Sequence, residues 1–243
     1  MRRFRPTFWP TLFTVPVLAV LIALGIWQLQ RLEWKDALIA ERQARSGAPP
    51  VSLPAGIDDP EELAFVRVRV RGAFAHGDEM YLVARPLGGR PGRHVVTPLV
   101  LEDGRALLVD RGWVPVARKD PATRAEGQLP GVVELEGLLR TGGWKGYTWL
   151  RPENLPAENV WFWVDPAAMA ESAGLARPVA DIYLDAGPAE NPGGLPVGGR
   201  TPIELPNDHL GYAVTWFSLA LALAVIYVVY HLKRTDGTAG AES

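Results

Sequence analysis

"TLFTVPVLAVLIALGIWQLQ", Thr11 to Gln30, decides the fold class. No ionisable side chain occurs from Pro6 to Gln30, and about 20 apolar residues rising about 1.5 Å each cross a hydrocarbon core of about 30 Å as one helix. Arg2, Arg3 and Arg5 form the basic start of a secretory signal, but the apolar core is too long for one and no small-x-small cleavage site follows before Arg31. The segment is therefore expected to remain as an anchor. Near the other end, "LGYAVTWFSLALALAVIYVVY", Leu210 to Tyr230, is again free of charge and runs into His231, Lys233 and Arg234. It too is expected to span.

Two spans bring both ends of the chain to one side. The excess of Lys and Arg in the short tails puts that side in the cytoplasm by the positive-inside rule. Arg31, Lys35, Arg42 and Arg45 weaken this signal at the first span; the second has no Lys or Arg nearer than Arg200 on its other flank, so it carries the orientation. The expected division is a cytoplasmic tail (1–10), a first transmembrane helix (11–30), a periplasmic β-rich domain (31–206), a second transmembrane helix (210–230) and a second cytoplasmic tail (231–243).

The chain is long enough for one core of ordinary size between those spans. Its 25 Lys+Arg against 27 Asp+Glu leave no basic surface that suggests nucleic acid as a partner. Cysteine is absent, which removes disulfides, thiolate nucleophiles, iron–sulfur clusters and covalent CxxCH haem attachment. The 25 Gly and 22 Pro fit loop-rich β structure better than a helical bundle.

Period-two alternation is plain in "FVRVRVRGAF", with Val66, Val68 and Val70 on one face and Arg67, Arg69 and Arg71 on the other. Further strands are expected in "EMYLVARP", "HVVTPLVLE", "RALLVDRGWVP", "VVELEGLLR", "VWFWVD" and "VADIYLDA". "DPAAMAESAGLA" reads as a short helix with Asp165 as N-cap, Pro166 at the first position and Gly174 at its end. "AGPAENPGGLPVGGRTP" has the composition of a loop leading to the second span. The expected fold class is a membrane protein whose two transmembrane helices flank an α+β, β-rich domain, an antiparallel sheet or small barrel.

No HExxH, GxSxG or GxxxxGK[ST] pattern occurs, so the chain lacks the minimum parts of a zinc peptidase, a serine hydrolase or a P-loop enzyme. Of four histidines, His76 sits in a turn and is expected to be solvated, while His94 begins a strand. His209 stands at the outer mouth of the second span, where Asn207 or Asp208 can cap the helix. It is either an interfacial polar residue or an axial ligand to a haem iron. His231 cannot share that iron, because about 22 helical residues place it roughly 33 Å away.

With both tails on one side, the "WQLQRLEWK" and "NDHLGYAVTW" segments lie at equal depth. Trp27, Arg31 and Trp34 share one helical face, with Gln28 and Lys35 on the adjoining stripe; His209, Tyr212, Ala213 and Trp216 share a face of the second span. Aromatic walls, one imidazole and two cations for propionate carboxylates suit an amphipathic porphyrin. The same residues also suit an aromatic belt with snorkelling cations, and composition alone leaves both open.

"GIWQLQRLEWKDALIAER", "VVTPLVLEDGRALLVDRGWVP", "RPENLPAENVWFWVDPAAMA" and "LPNDHLGYAVTWFSLALAL", in that order, resemble the Surfeit-locus-one family of cytochrome c oxidase assembly factors. Asp110 departs from the asparagine of the family's "NRGWVP" version. The resemblance implies an assembly factor that is not an enzyme, a chaperone that helps haem a reach oxidase subunit I, with a haem a synthase as a further partner and membrane lipid around it. It carries the family's ligand histidine onto His209, with Trp27, Gln28, Arg31, Trp34, Lys35, Tyr212, Thr215 and Trp216 in the matching signatures. The first span begins within about ten residues of Met1, leaving no room for a mitochondrial extension, so a bacterial inner membrane is expected. The alternatives are a scaffold that steadies oxidase intermediates without haem and, behind it, a membrane-anchored enzyme for which Asp110 and His94 are only scattered candidates.

Overall fold

The computed structural model describes residues 4, 6–83, 85–200 and 206–237, the side chains of the last five aside. The tail arginines Arg2, Arg3 and Arg5, the loop end at 201–205 and the tail at 238–243 lie outside the described residues. The chain divides into two compact units, Met1–Glu41 with Glu204–Ser243, and Arg42–Ile203.

The first unit is a pair of helices, α1 (Phe8–Gly47) and α3 (His209–Gly237), both long and apolar enough to cross a membrane. Helix α1 does not end at Gln30. It continues because Arg31, Leu32, Glu33, Lys35, Ala37 and Leu38 are all good helix formers, and it stops where Gly47 is followed by Pro49 and Pro50, which cannot continue the ladder. At about 1.5 Å per residue its 40 residues reach about 60 Å, twice the hydrocarbon thickness. Within the second unit its last turns are tied down: Arg45 Nη1 donates to the Glu62 carbonyl at 3.0 Å, and Arg67 Nε donates to the Ser46 carbonyl at 3.0 Å.

The second unit is a small barrel. Its strands are β1 (Val51–Ser52), β2 (Arg67–Phe74), β3 (Met80–Leu82), β4 (Gly92–Leu101), β5 (Ala106–Pro115), β6 (Val132–Thr141) and β7 (Ile182–Ala186). The sheet order is β1-β2-β6-β7-β5-β4-β3, and β2 also pairs with β4, so β2, β6, β7, β5 and β4 form a closed ring. Closure happens at the end of β2, where Gly72 and Ala73 pair with β4 and β6 at once. A Cβ on Gly72 would lie 2.4 Å from the Val100 carbonyl oxygen, so only glycine lets the strand turn that corner.

Strand β2 buries Val68 and Val70 and exposes Arg69 and Arg71, as its alternation requires. Val68, Val70, Leu99, Leu107, Val109, Leu139, Ile182 and Leu184 fill the barrel interior. β5 is buried on both faces because Leu108 enters a second cluster, with Val96, Trp161 and Met169, beneath α2 (Pro166–Ser172). Asp165 caps α2 by accepting from the Ala168 amide, Pro166 opens it, and Gly174 follows it at φ +60°.

Two local expectations are corrected. "VWFWVD" forms no full strand: Trp161 bridges the β3 edge through the Tyr81 carbonyl and the Val83 amide, but Asn154 Oδ1 accepts from the Phe162 amide at 2.8 Å, and the Trp161 side chain plugs the second cluster. His76 is not solvated but half-buried in a short 3-10 turn, with Nε2 2.9 Å from the Leu129 carbonyl. Part of the loop after β7 packs back on the barrel, where Val197 exchanges both backbone hydrogen bonds with Trp113.

Candidate functional site

Helices α1 and α3 lie antiparallel, and polar clasps hold both ends of the pair. At one end His231 is buried; its Nδ1 lies 2.8 Å from the Tyr227 carbonyl. A carbonyl there makes Nδ1 the protonated nitrogen, so Nε2 accepts from the Thr7 amide and hydroxyl, both at 3.1 Å. Thr11 Oγ1 and the Tyr227 hydroxyl meet at 2.6 Å. His231 is thus spent on holding the helices together.

Mid-way, the Phe217 ring lies against the bare backbone of Gly25, where a Cβ would stand 2.7 Å from it, and Ala213 and Ala220 are buried. Small residues of this kind let two helices approach closely. At the other end, His209 Nδ1 lies 2.6 Å from Gln28 Oε1, Asn207 Nδ2 donates to Asp36 Oδ1 at 2.7 Å, and Lys35 Nζ donates to the Pro206 carbonyl. Asn207, expected as a helix cap, spends its amide on Asp36; the Asp208 carbonyl accepts from the Tyr212 amide at the start of α3.

The structure therefore brings His209 and Gln28 into direct contact across 181 positions of sequence. Gln28 is buried, and its carbonyl oxygen makes Nδ1 of His209 the protonated nitrogen. The Nε2 lone pair is left outward and, among the described residues, has no protein partner. That is the arrangement a metal-ligating imidazole requires. Arg31 stacks its guanidinium on Trp34 at 3.8 Å and is hydrogen-bonded to no other described residue, which leaves its N–H edge for an anion. Lys35, expected as the second cation, donates one of its three N–H groups to the Pro206 carbonyl.

Trp27 (53 %), Trp34 (50 %) and Tyr212 (57 %) remain about half exposed, and Trp216 is half-buried. Among the described residues, the close ring pairs do not join any of these four; Arg31 covers one face of Trp34, and the faces of Trp27, Tyr212 and Trp216 are available. The Thr215 hydroxyl bonds back to the Gly211 carbonyl and takes no part. The donor set fits a porphyrin iron: one imidazole of fixed tautomer, flat apolar surface and a cation.

The barrel holds two polar constellations of its own. Glu79 is buried between Arg124, whose Nη2 and Nη1 donate at 2.5 and 3.1 Å, and Gln128, whose Nε2 donates at 3.0 Å, with Arg111 at 3.5 Å. Burial alone would raise its pKa, but the hydrogen bonds from Arg124 and Gln128 outweigh that and hold the carboxyl below its usual range. Burial pushes Arg111 down to about 10. This cluster fixes the loop after β5 against the barrel. Sequence reading missed the second constellation, His94 Nδ1 at 2.8 Å from Asp110 Oδ2. Burial would lower the imidazole's pKa; the hydrogen bond and charge of Asp110, aided by Asp185, raise it above the ordinary value.

Comparison with known proteins agrees with the motifs. The model of the SURF1 family matches residues 15–221. Surfeit locus protein 1 of Homo sapiens is 38% identical over 243 residues, covering 93% of this chain and 78% of that protein. The Mus musculus protein of the same name is 37% identical over 239 residues, covering 92% and 76%. A SURF1-like protein of Monosiga brevicollis is 36% identical over 241 residues, covering 95% and 88%.

Proposed function

This chain belongs to the SURF1 family, and from that premise we propose that it is a haem a chaperone for cytochrome c oxidase assembly, delivering the cofactor towards subunit I. The observation that carries this reading is the 2.6 Å contact between His209 Nδ1 and Gln28 Oε1. It fixes the imidazole tautomer and leaves the Nε2 lone pair of His209 without a hydrogen-bond partner among the described residues. A residue buried in one helix thus orients a ligand on the other.

In this reading the chain is a carrier and not a catalyst. His209 binds the iron, the half-exposed rings of Trp27, Trp34, Tyr212 and Trp216 flank the macrocycle, and Arg31 meets a propionate. A carrier must release its cargo, and a single axial imidazole favours handover over retention. Lys35 spends one of its three N–H donors on the Pro206 carbonyl and supplies the second cation with the others. Haem a itself supplies the redox chemistry, and only after transfer.

The exposed apolar flanks of both helices support a bilayer setting: Phe13, Val17, Leu221 and Ile226 all point away from the pair. We place both tails in the cytoplasm and the barrel in the periplasm of a bacterial inner membrane, on Lys233 and Arg234 beyond the apolar stretch of α3.

The test is the absorption spectrum and iron-to-protein ratio of the full chain, purified in detergent from a haem a-producing host. A Soret band that His209→Ala removes, with the protein still inserted, supports the carrier. A colourless protein under saturating haem a supports a scaffold that steadies oxidase intermediates without cofactor.

A further inference from the structure

The barrel unit carries a second concavity, independent of the helix pair. A cleft of about 470 Å3 opens beside β4, β5, β6 and β7, within the range of about 300–1,000 Å3 found for small-molecule sites. His94 and Asp110 lie in its wall together with Arg85, Arg140, Lys145 and Arg200. The carboxylates that line it are Asp110 and Asp185, so four cations face two anions even with His94 neutral. The whole chain has a formal charge of −2, which makes this a local inversion of sign.

The cations are only partly engaged. Arg85 Nη2 donates to the Phe162 carbonyl at 3.2 Å, Arg140 stands 3.9 Å from Asp185, and Lys145, exposed, donates to Thr141 Oγ1 at 2.9 Å and stands 3.7 Å from the exposed Glu61 carboxylate. Arg200 has no hydrogen bond or ion pair among the described residues. At the wall, Asp110 holds Nδ1 of His94, and Nε2 meets no described residue. When protonated, that nitrogen donates into the cleft. Trp144, Phe162 and Trp163 add aromatic surface to the lining.

Two other readings fit less well. Among the described residues no group of three or more His, Asp or Glu side chains is placed to hold a metal ion, and the arginines would repel one. A hydrolytic site needs a nucleophile beside the free imidazole nitrogen, and no described side chain bonds to it.

We propose that this cleft binds a small organic dianion, a flat body carrying two carboxylates or one phosphate, held by His94, Lys145 and Arg200. Arginine and lysine supply charge-assisted hydrogen bonds, and the aromatic surface stacks on the flat part. Affinity rises as pH falls through the pKa of His94. The groups that face it are Asp110, Asp185, Arg85, Arg140 and Tyr183, and of these the two carboxylates favour the protonated imidazole.

The test uses the full chain in neutral detergent, with benzene-1,3-dicarboxylate and phenyl phosphate as the probes and toluene as the uncharged control. Dissociation constants are measured by ligand-observed NMR at pH 6 and pH 8. The expected results are saturable binding of at least one anion, tighter at pH 6, and weakening of about tenfold in the exposed-residue double variant Lys145→Glu/Arg200→Glu, which leaves the thermal melt unchanged. The better of the two probes identifies carboxylate or phosphate as the natural group. His94→Gln removes the pH dependence. Equal binding of toluene, no saturable anion binding at either pH, or affinity unaltered in the double variant overturns the site. None of these outcomes touches the haem spectrum, so the two proposals fail separately.

Discussion

Nδ1 of His209 and the side-chain carbonyl of Gln28 lie 2.6 Å apart, so the first residue of α3 is aimed by a buried side chain of α1. Outer partners of ligating histidines typically contribute about 10–100-fold in metal affinity. Gln28→Leu is expected to weaken haem a binding by about that factor while leaving His209 in place, as read by haem titration of the purified protein. Gln28→Glu retains an acceptor, and binding is expected to stay near the wild-type value.

At the opposite end, His231→Leu strands the Thr7 amide and hydroxyl that its Nε2 accepts. Polar contacts between spanning helices contribute about 1–2 kcal/mol at most. The variant is expected to lose stability of that order in a detergent unfolding curve, with haem stoichiometry unchanged, because this clasp lies at the far end of the pair from His209.

In the barrel, Glu79→Gln leaves Arg111 and Arg124 buried without their carboxylate. Removing one partner of a buried ion pair costs about 3–5 kcal/mol, a loss that a chemical denaturation curve resolves. The acid limb follows from the same carboxyl. Its folded pKa is depressed, so its stabilisation is present above about pH 4.3 and is lost as pH falls through the lower folded value.

His94 has the opposite sign. Its folded pKa is raised, so its contribution is complete below about pH 6.5 and is lost as pH rises through the higher folded value. Thermal melts of the full chain are expected to fall over that window. In Asp110→Asn the charge that raises the imidazole's pKa is gone and burial opposes its protonation, so the fall over that window is expected to shrink or vanish.

The two long apolar helices and the alternation of β2 were legible because each is a local pattern: a charge-free run, and valines interleaved with arginines. The "VWFWVD" segment misled because its aromatic residues favour strands, while the side chain that satisfies its backbone, Asn154, lies outside it. The His94–Asp110 pair was within reach. The tight "EDGR" turn sets the hairpin register that pairs Val96 with Asp110 and Thr97 with Val109, and counting back from the turn makes His94 a diagonal neighbour of Asp110 on the same face. The bulge between His94 and Val96 was not legible, since it depends on packing around the barrel. That the segments bearing His209 and Gln28 meet was legible from the two apolar helices; the His209–Gln28 bond itself and the Lys35 bond to the Pro206 carbonyl were not, because no side-chain pattern marks either partner.

The central claim is that Nε2 of His209 ligates the iron. Resonance Raman spectra of the ferrous haem a complex, with and without 15N-histidine labelling, test it at the bond itself. An iron–imidazole stretching band that shifts with the label and vanishes in His209→Ala is the predicted result. The same label-sensitive band persisting in His209→Ala would contradict the assignment.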